Sequence, residues 1–96
     1  MTKDEILNFL RSNKRALKEH FGVIRIGLFG SYVRGTQKDD SDIDLAVEIQ
    51  EENKADNFFR LLHLLEDNFH KKIDMGIESN LKPVVKEFVE KEIEYA

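Results

Sequence analysis

The chain has 96 residues, a formal net charge of −4, 41% hydrophobic and 35% charged residues, and no cysteine. This length suits a single domain over residues 1–96, and the composition excludes a disordered chain. The missing cysteines exclude disulfides and thiolate metal sites, and the acidic balance argues against direct nucleic-acid binding. No apolar run approaches the roughly 20 residues of a membrane helix, and the charged N-terminus lacks a signal-peptide core, so we expect a cytoplasmic protein.

The first third of the chain predicts a helix, a strand and a second, short helix. Apolar residues recur at helical spacing between Thr2 and Phe21, which predicts one helix that ends at Gly22. The apolar run from Val23 to Phe29 predicts a first strand that is buried on both faces. Residues 31–34 then form a short helix, and residues 36–40 form a polar loop.

The sequence of the remaining two thirds of the chain predicts two more strands and two more helices. Strands are expected at 42–49 and 72–77, with a helix at 54–69 between them and a last helix at 80–94. The apolar residues of the last helix are expected to form its buried stripe: Leu81, Val84, Val85, Phe88 and Ile93. The order αβαβαβα predicts an α/β (α+β) fold, in which a small mixed sheet of about three strands is flanked by helices.

The topology of this sheet follows from where its polar residues stand. The first strand ends at Gly30 and the second begins at Asp42, so these strands must run antiparallel if both features meet at one site. The long helix between the second and third strands favours a right-handed parallel crossover. That crossover places Asp74, near the start of the third strand, beside Asp42 and Asp44.

Two carboxylates open the second strand. Asp42 and Asp44 share one face of the strand, because side chains alternate along it. Neighbouring carboxylates repel each other unless they are exposed or a divalent cation lies between them. The alternative to a metal site is the solvated face of an amphipathic strand. A calcium loop is excluded, because Leu45 stands where that loop requires glycine.

A glycine–serine turn follows the first strand. Gly30 and Ser31 offer backbone N–H groups and a hydroxyl that suit a phosphate, although Ser31 also suits the N-cap of the short helix. Arg34 contacts a phosphate or pairs with an acidic residue of the site, and both alternatives stay open. Tyr32 is expected to be exposed near the mouth of the site. A metal pair beside a phosphate cradle is typical of phosphoryl or nucleotidyl transfer.

The two motifs together resemble a known signature. The segment GSYVRG at 30–35, followed after five residues by SDIDL at 41–45, is similar to the signature of the DNA polymerase β-like nucleotidyltransferase superfamily. More narrowly, the chain resembles the minimal nucleotidyltransferases (MNT), which are usually the antitoxins of HEPN-domain toxins. The resemblance covers nearly the whole chain, and it departs from the family at Gln37, where a small residue is common.

The resemblance implies a reaction and a set of site residues. Asp42, Asp44 and Asp74 would be catalytic and would hold two Mg²⁺ ions, while Gly30, Ser31 and the arginine one turn later would bind the nucleotide. The donor would be ATP, and AMP would pass to a hydroxyl, expected to be a tyrosine of a HEPN toxin. Two alternatives are an antitoxin that neutralises its toxin by binding alone, and a transferase for small molecules of the aminoglycoside type.

Overall fold

The computed structural model describes residues 1–96 as a four-stranded mixed sheet in the order β3-β2-β1-β4, with flanking helices. The elements in chain order are α1 (Lys3–Ser12), α2 (Lys14–Phe21), β1 (Val23–Phe29), α3 (Ser31–Arg34), β2 (Ile43–Ile49), α4 (Lys54–Phe69), β3 (Ile73–Ile77), a 3₁₀ turn (Glu78–Asn80), α5 (Pro83–Glu92) and β4 (Glu94–Tyr95). The mixed α+β class is confirmed. The short fourth strand has only two residues and was not predicted. None of the helices is long and apolar enough to cross a membrane.

The N-terminal helix is interrupted, so the prediction of one helix over residues 2–21 was wrong. Asn13 separates α1 from α2, with φ −107° and ψ 11°, and its side-chain Nδ2 donates a hydrogen bond to the carbonyl of Phe9 at 2.8 Å. Asparagine side chains compete with the helix for backbone partners, which explains a break at this residue. Gly22 ends α2 in the left-handed conformation, as predicted.

The strand pairing confirms the predicted topology. β1 and β2 pair antiparallel, and β2 and β3 pair parallel. The expectation that β1 is buried on both faces was wrong, because Ile24 and Arg25 are exposed. The register of β1 shifts between Val23 and Arg25, and β4 pairs only with Gly27 and Leu28. The first half of β1 therefore lies at an uncovered edge with an irregular ladder.

The main core lies on one face of the sheet. Along β2, Ile43, Leu45, Val47 and Ile49 are buried beneath α1, α2 and α4. The intervening Asp44 and Glu48 point to the opposite face and are half-buried. This alternation confirms the predicted two faces of β2 and leaves the carboxylate face for α5 and the site.

The last helix packs differently from the prediction. Val84 and Phe88 are 81% and 60% exposed and Val85 is also exposed, whereas Val89 is buried. The chain after α5 returns to the sheet as β4, and Ile93 lies so close to Gly27 that a Cβ on that glycine would collide with it. This anchoring at the C-terminal end of α5 turns Val89 inward and leaves most of the predicted stripe in solvent.

Candidate active site

The turn after β1 is shaped by the lack of a side chain at Gly30. This glycine has φ 82° and ψ −153°, a region that L-residues with a Cβ rarely adopt. A Cβ at this position would collide with the carboxylate of Asp44. The Asp44 side chain therefore lies directly against the backbone of the turn. Gly30, not Ser31, is the N-cap of α3, and Ser31 is the first residue of the helix.

The three predicted aspartates are brought to one end of the sheet. Asp44 on β2 pairs in register with Asp74 on β3, and Asp42 immediately precedes β2. Asp74 is exposed and Asp44 is half-buried. The carboxylate of Asp42 lies 3.9 Å from the Nζ of Lys72, a contact that is too long for a direct hydrogen bond.

The electrostatics of this cluster centre on Asp44. Burial and, after it, the negative charges of Asp74, Asp42 and Glu92 raise the pKa of Asp44 from 3.8 to about 6, against an opposing effect of Arg34. Desolvation and like charges both disfavour the ionised carboxylate. The raised pKa thus reflects first the burial of Asp44 and then the other negative charges at this end of the sheet.

The cluster fits a hard cation through its donor chemistry. No three His, Asp or Glu side chains stand in an arrangement that by itself could hold a metal ion. However, Mg²⁺ is usually held by only one or two carboxylates, together with substrate phosphates and water. Asp44, with Asp42 or Asp74, offers the required carboxylate oxygens, and a cation would relieve the repulsion that raises the pKa of Asp44.

Arg34 pairs with an acidic residue that the sequence did not identify. Its Nη1 donates to both carboxylate oxygens of Glu92, each at 3.0 Å, and the N–H of Gly30 donates to Glu92 Oε1 at 3.0 Å. Arg34 thus has an acidic partner in the structure, one of its two predicted contacts, and its contact with a phosphate stays a prediction. Glu92 lies in the acidic run 90–94, which reads as a solvated helix end. The only sequence signal that pointed to Glu92 was that Arg34 needs a partner. This signal did not distinguish Glu92 from the many other acidic residues.

The comparisons with known proteins agree with this geometry. Residues 10–96 match the model of the nucleotidyltransferase domain family. The chain belongs to this family. The predictions of a nucleotidyltransferase and of a minimal nucleotidyltransferase fold are confirmed.

Relatives of this nucleotidyltransferase span nearly its whole length. Protein adenylyltransferase MntA of Thermococcus cleftensis is 39% identical over 95 residues, covering 99% of this chain and 96% of its own. A solved structure provisionally described as a minimal nucleotidyltransferase has a TM-score of 0.74 at 32% identity, covering 92% of this chain and 93% of that one. A crystal structure of a toxin–antitoxin with AMP-PNP has a TM-score of 0.70 at 25% identity, covering 99% of this chain and 72% of that one.

Tyr32 does not line the site of this nucleotidyltransferase, contrary to the prediction. It is 2% exposed and belongs to the main core cluster. The short helix α3 packs against β1 and β2, so one side of it must face the core. Ser31 and Arg34, three residues apart, share the side that faces away from that core.

Proposed function

We propose that this nucleotidyltransferase, acting as one domain over residues 1–96, transfers AMP from ATP to a hydroxyl group of a partner protein. The observation that carries the proposal is the position of Asp44, which lies opposite Asp74 and against the Gly30 turn. The carboxylate oxygens that we propose as metal ligands therefore lie next to the turn that we propose as the phosphate-binding site. Support for adenylyl transfer comes from the relative named protein adenylyltransferase and from the toxin–antitoxin neighbour with AMP-PNP.

Each site residue has a role in this reaction. The turn at Gly30 and Ser31 receives the β- and γ-phosphates of ATP, with Ser31 as the donor, and Asp42 and Asp44 would be the main ligands of two Mg²⁺ ions, with Asp74 completing the set. When bound, Mg²⁺ neutralises the charge of the phosphates. Asp74 also orients the acceptor hydroxyl and takes its proton, a role that suits its exposure. The acceptor oxygen then bonds to the α-phosphorus, and the bond from that phosphorus to pyrophosphate breaks.

The acceptor is proposed to be a tyrosine of a HEPN-domain toxin, for which this chain is the antitoxin. The toxin–antitoxin structural neighbour supports a toxin as the partner. The two surface cavities of the fold contain none of the proposed catalytic residues: one lies between α2 and the start of β1, and the other beside the N-terminal end of α4. Neither cavity therefore adjoins the site as a pocket for a small acceptor molecule. This arrangement suits an acceptor hydroxyl that is carried by a partner protein.

Label transfer in a lysate of the source cell tests this function. With ATP labelled at the α-phosphate and Mg²⁺, we expect label on one small protein in the presence of the intact chain. ATP labelled at the γ-phosphate should label nothing above background, which separates AMP transfer from phosphorylation. The double variant Asp42→Ala/Asp44→Ala should transfer no label. A matched control is Asp39→Ala, which removes an exposed carboxylate from the preceding loop and should leave transfer intact.

Absence of label with the intact chain would contradict AMP transfer to a protein. A second candidate function, neutralisation of a toxin by contact alone, is favoured by the exposed apolar residues of α5. Val84, Val85 and Phe88 are all exposed on this helix, and grouped apolar residues in solvent are typical of protein interfaces. Contact alone predicts that Asp42→Ala/Asp44→Ala still protects cells from the toxin, whereas the enzymatic function predicts that protection is lost.

A further inference from the structure

A single carboxylate joins the end of α5 to the turn after β1. Glu92, the last residue of α5, accepts hydrogen bonds from the N–H of Gly30 and from the Nη1 of Arg34, all at 3.0 Å. Its side chain is only 17% exposed. Hydrogen bonds to an ionised and partly buried carboxylate are stronger than those between neutral groups. Glu92 is thus a fixed part of the site although it lies far from the signature in sequence.

The contact adds a side-chain restraint to a turn whose carbonyl groups already accept backbone hydrogen bonds. Gly30 has no side chain of its own, and its positive φ lies where glycine is conformationally free. Two carboxylates hold it from different directions, because Asp44 lies against its Cα and Glu92 binds its N–H. The removal of Glu92 would leave the Gly30 N–H without this partner, while the Gly30 carbonyl would keep its hydrogen bonds from the N–H groups of Val33 and Arg34.

The same carboxylate also holds a cation in place. Arg34 donates to both oxygens of Glu92, so its side chain stays beside the turn instead of extending into solvent. The negative charge of Glu92 repels the carboxylate of Asp44, and the positive charge of Arg34 opposes this repulsion. Glu92 can therefore lie near Asp44 and still act as an acceptor for the turn.

We propose that Glu92 is a positioning residue for nucleotidyl transfer, which holds the Gly30–Ser31 turn and Arg34 where they receive the phosphates of the nucleotide. This inference rests on the proposed function. Glu92 acts through Gly30 and Arg34 and does not itself contact the nucleotide. Since the Gly30 N–H is already bonded to Glu92, the backbone N–H and hydroxyl of Ser31 are the groups of the turn that remain for the phosphates.

Two variants of Glu92 separate its two contacts. Glu92→Gln keeps an oxygen for the Gly30 N–H but loses the charge that pairs with Arg34, whereas Glu92→Ala loses both contacts. We expect kcat for AMP transfer to the acceptor protein to fall about 10–100-fold in Glu92→Ala, because a small misplacement of bound reactants is enough for such a loss. The fall in kcat should be smaller in Glu92→Gln than in Glu92→Ala. In both variants the KM for ATP should change less than kcat. Glu90→Gln, on an exposed residue of the same helix, should match the intact chain.

Amide hydrogen exchange gives a readout that does not depend on activity. We expect the Gly30 amide to lose protection in Glu92→Ala, while the amide of Leu45 in the central strand stays protected. An unchanged Gly30 amide, or lost protection with unchanged kcat, would overturn the proposal. If the intact chain transfers no AMP, the proposed function fails and the positioning role of Glu92 fails with it. Loss of transfer in the intact chain contradicts the proposed function, whereas unchanged transfer in the Glu92 variants contradicts only the role of Glu92. The two failures are therefore distinguishable.

Discussion

Asp44 and Asp74 lie opposite each other across the parallel pair of β2 and β3, which ties the two carboxylates to adjacent strands. Backbone hydrogen bonds of the ladder fix the separation of these strands, so the backbone positions of the two acids cannot move apart without disrupting the sheet. Their mutual repulsion is therefore part of the folded state. The repulsion contributes to the raised pKa of Asp44, for which burial is the largest cause.

The raised pKa predicts how stability without Mg²⁺ depends on pH. The pKa of Asp44 is about 6 in the fold against an ordinary value of 3.8, so the folded chain holds the proton more tightly than the unfolded chain. The resulting stabilisation is complete at low pH and is lost as the pH rises through about 6. Urea denaturation from about pH 4 to about pH 7 should show this decline. Asp44→Asn should remove the Asp44 contribution, and an equal slope in both proteins would contradict the assignment.

Two glycines allow a test of the contact between Asp44 and the turn. Gly30 and Gly35 both have positive φ, but a Cβ would collide with Asp44 only at Gly30 and would meet nothing at Gly35. Gly35→Ala should cost about 1 kcal/mol of unfolding free energy, from backbone strain alone. Gly30→Ala should cost about 1–3 kcal/mol more, because its ψ of −153° lies in a region restricted almost entirely to glycine and because the aspartate must also move. Equal losses in the two variants, measured by urea denaturation, would argue against the contact.

The orientation of α5 is tested by two neighbouring residues. Val89 is buried and Phe88 is 60% exposed, although the apolar pattern of the helix predicts that Phe88 is buried. Val89→Ala should lower the unfolding free energy by about 1–3 kcal/mol through lost burial and a cavity. Phe88→Ala should change it by less than about 0.5 kcal/mol. The reverse ranking would restore the predicted orientation.

A buried carboxylate in the 3₁₀ turn after β3 makes a further prediction. Glu78 is 1% exposed and accepts from Arg25 Nη2 at 2.6 Å and from the hydroxyl of Tyr95 at 2.9 and 3.0 Å. Tyr95→Phe should lower the unfolding free energy by about 1 kcal/mol, since it removes one neutral donor. Arg25→Ala should lower it more, by about 2–4 kcal/mol, because it leaves a buried charge without its cation. A larger loss in Tyr95→Phe than in Arg25→Ala would contradict this ranking.

The same cluster affects the titration of Tyr95. Burial, followed by its hydrogen bond to Glu78 and the charge of that residue, raises the pKa of Tyr95 above its ordinary value. We expect ultraviolet titration to show one tyrosine that ionises at higher pH than free tyrosine, and Glu78→Gln should lower that pKa.

Local patterns predicted most of the fold. The bounds of β1, α3 and α4 agree with those expected, because apolar periodicity and glycine turns act over a few residues. The pairing of β1 with β2 and of β2 with β3 also followed, since the motif and the long α4 constrain the topology. The sequence further predicted that Asp42, Asp44 and Asp74 meet beside Gly30, although their chemical roles remain predictions.

Apart from the break at Asn13, the errors occur where distant parts of the chain decide the structure. Asn13 breaks a periodic helix through its own side chain, a local effect that apolar spacing does not reveal. Tyr32 is buried because α3 packs against the sheet, and Val84 and Phe88 are exposed because β4 fixes the end of α5. The partnership of Arg34 with Glu92 joins residues 58 positions apart, and no local pattern identifies such a pair.

The contact between Gly30 and Glu92 also has a consequence for the order of events during synthesis. These residues are 62 positions apart, and a ribosome adds only about 5–20 residues per second. A nascent chain therefore carries the complete nucleotidyltransferase signature for seconds before the carboxylate that restrains it exists. If Glu92 positions the turn for transfer, the growing polypeptide transfers AMP only slowly until α5 has emerged and docked.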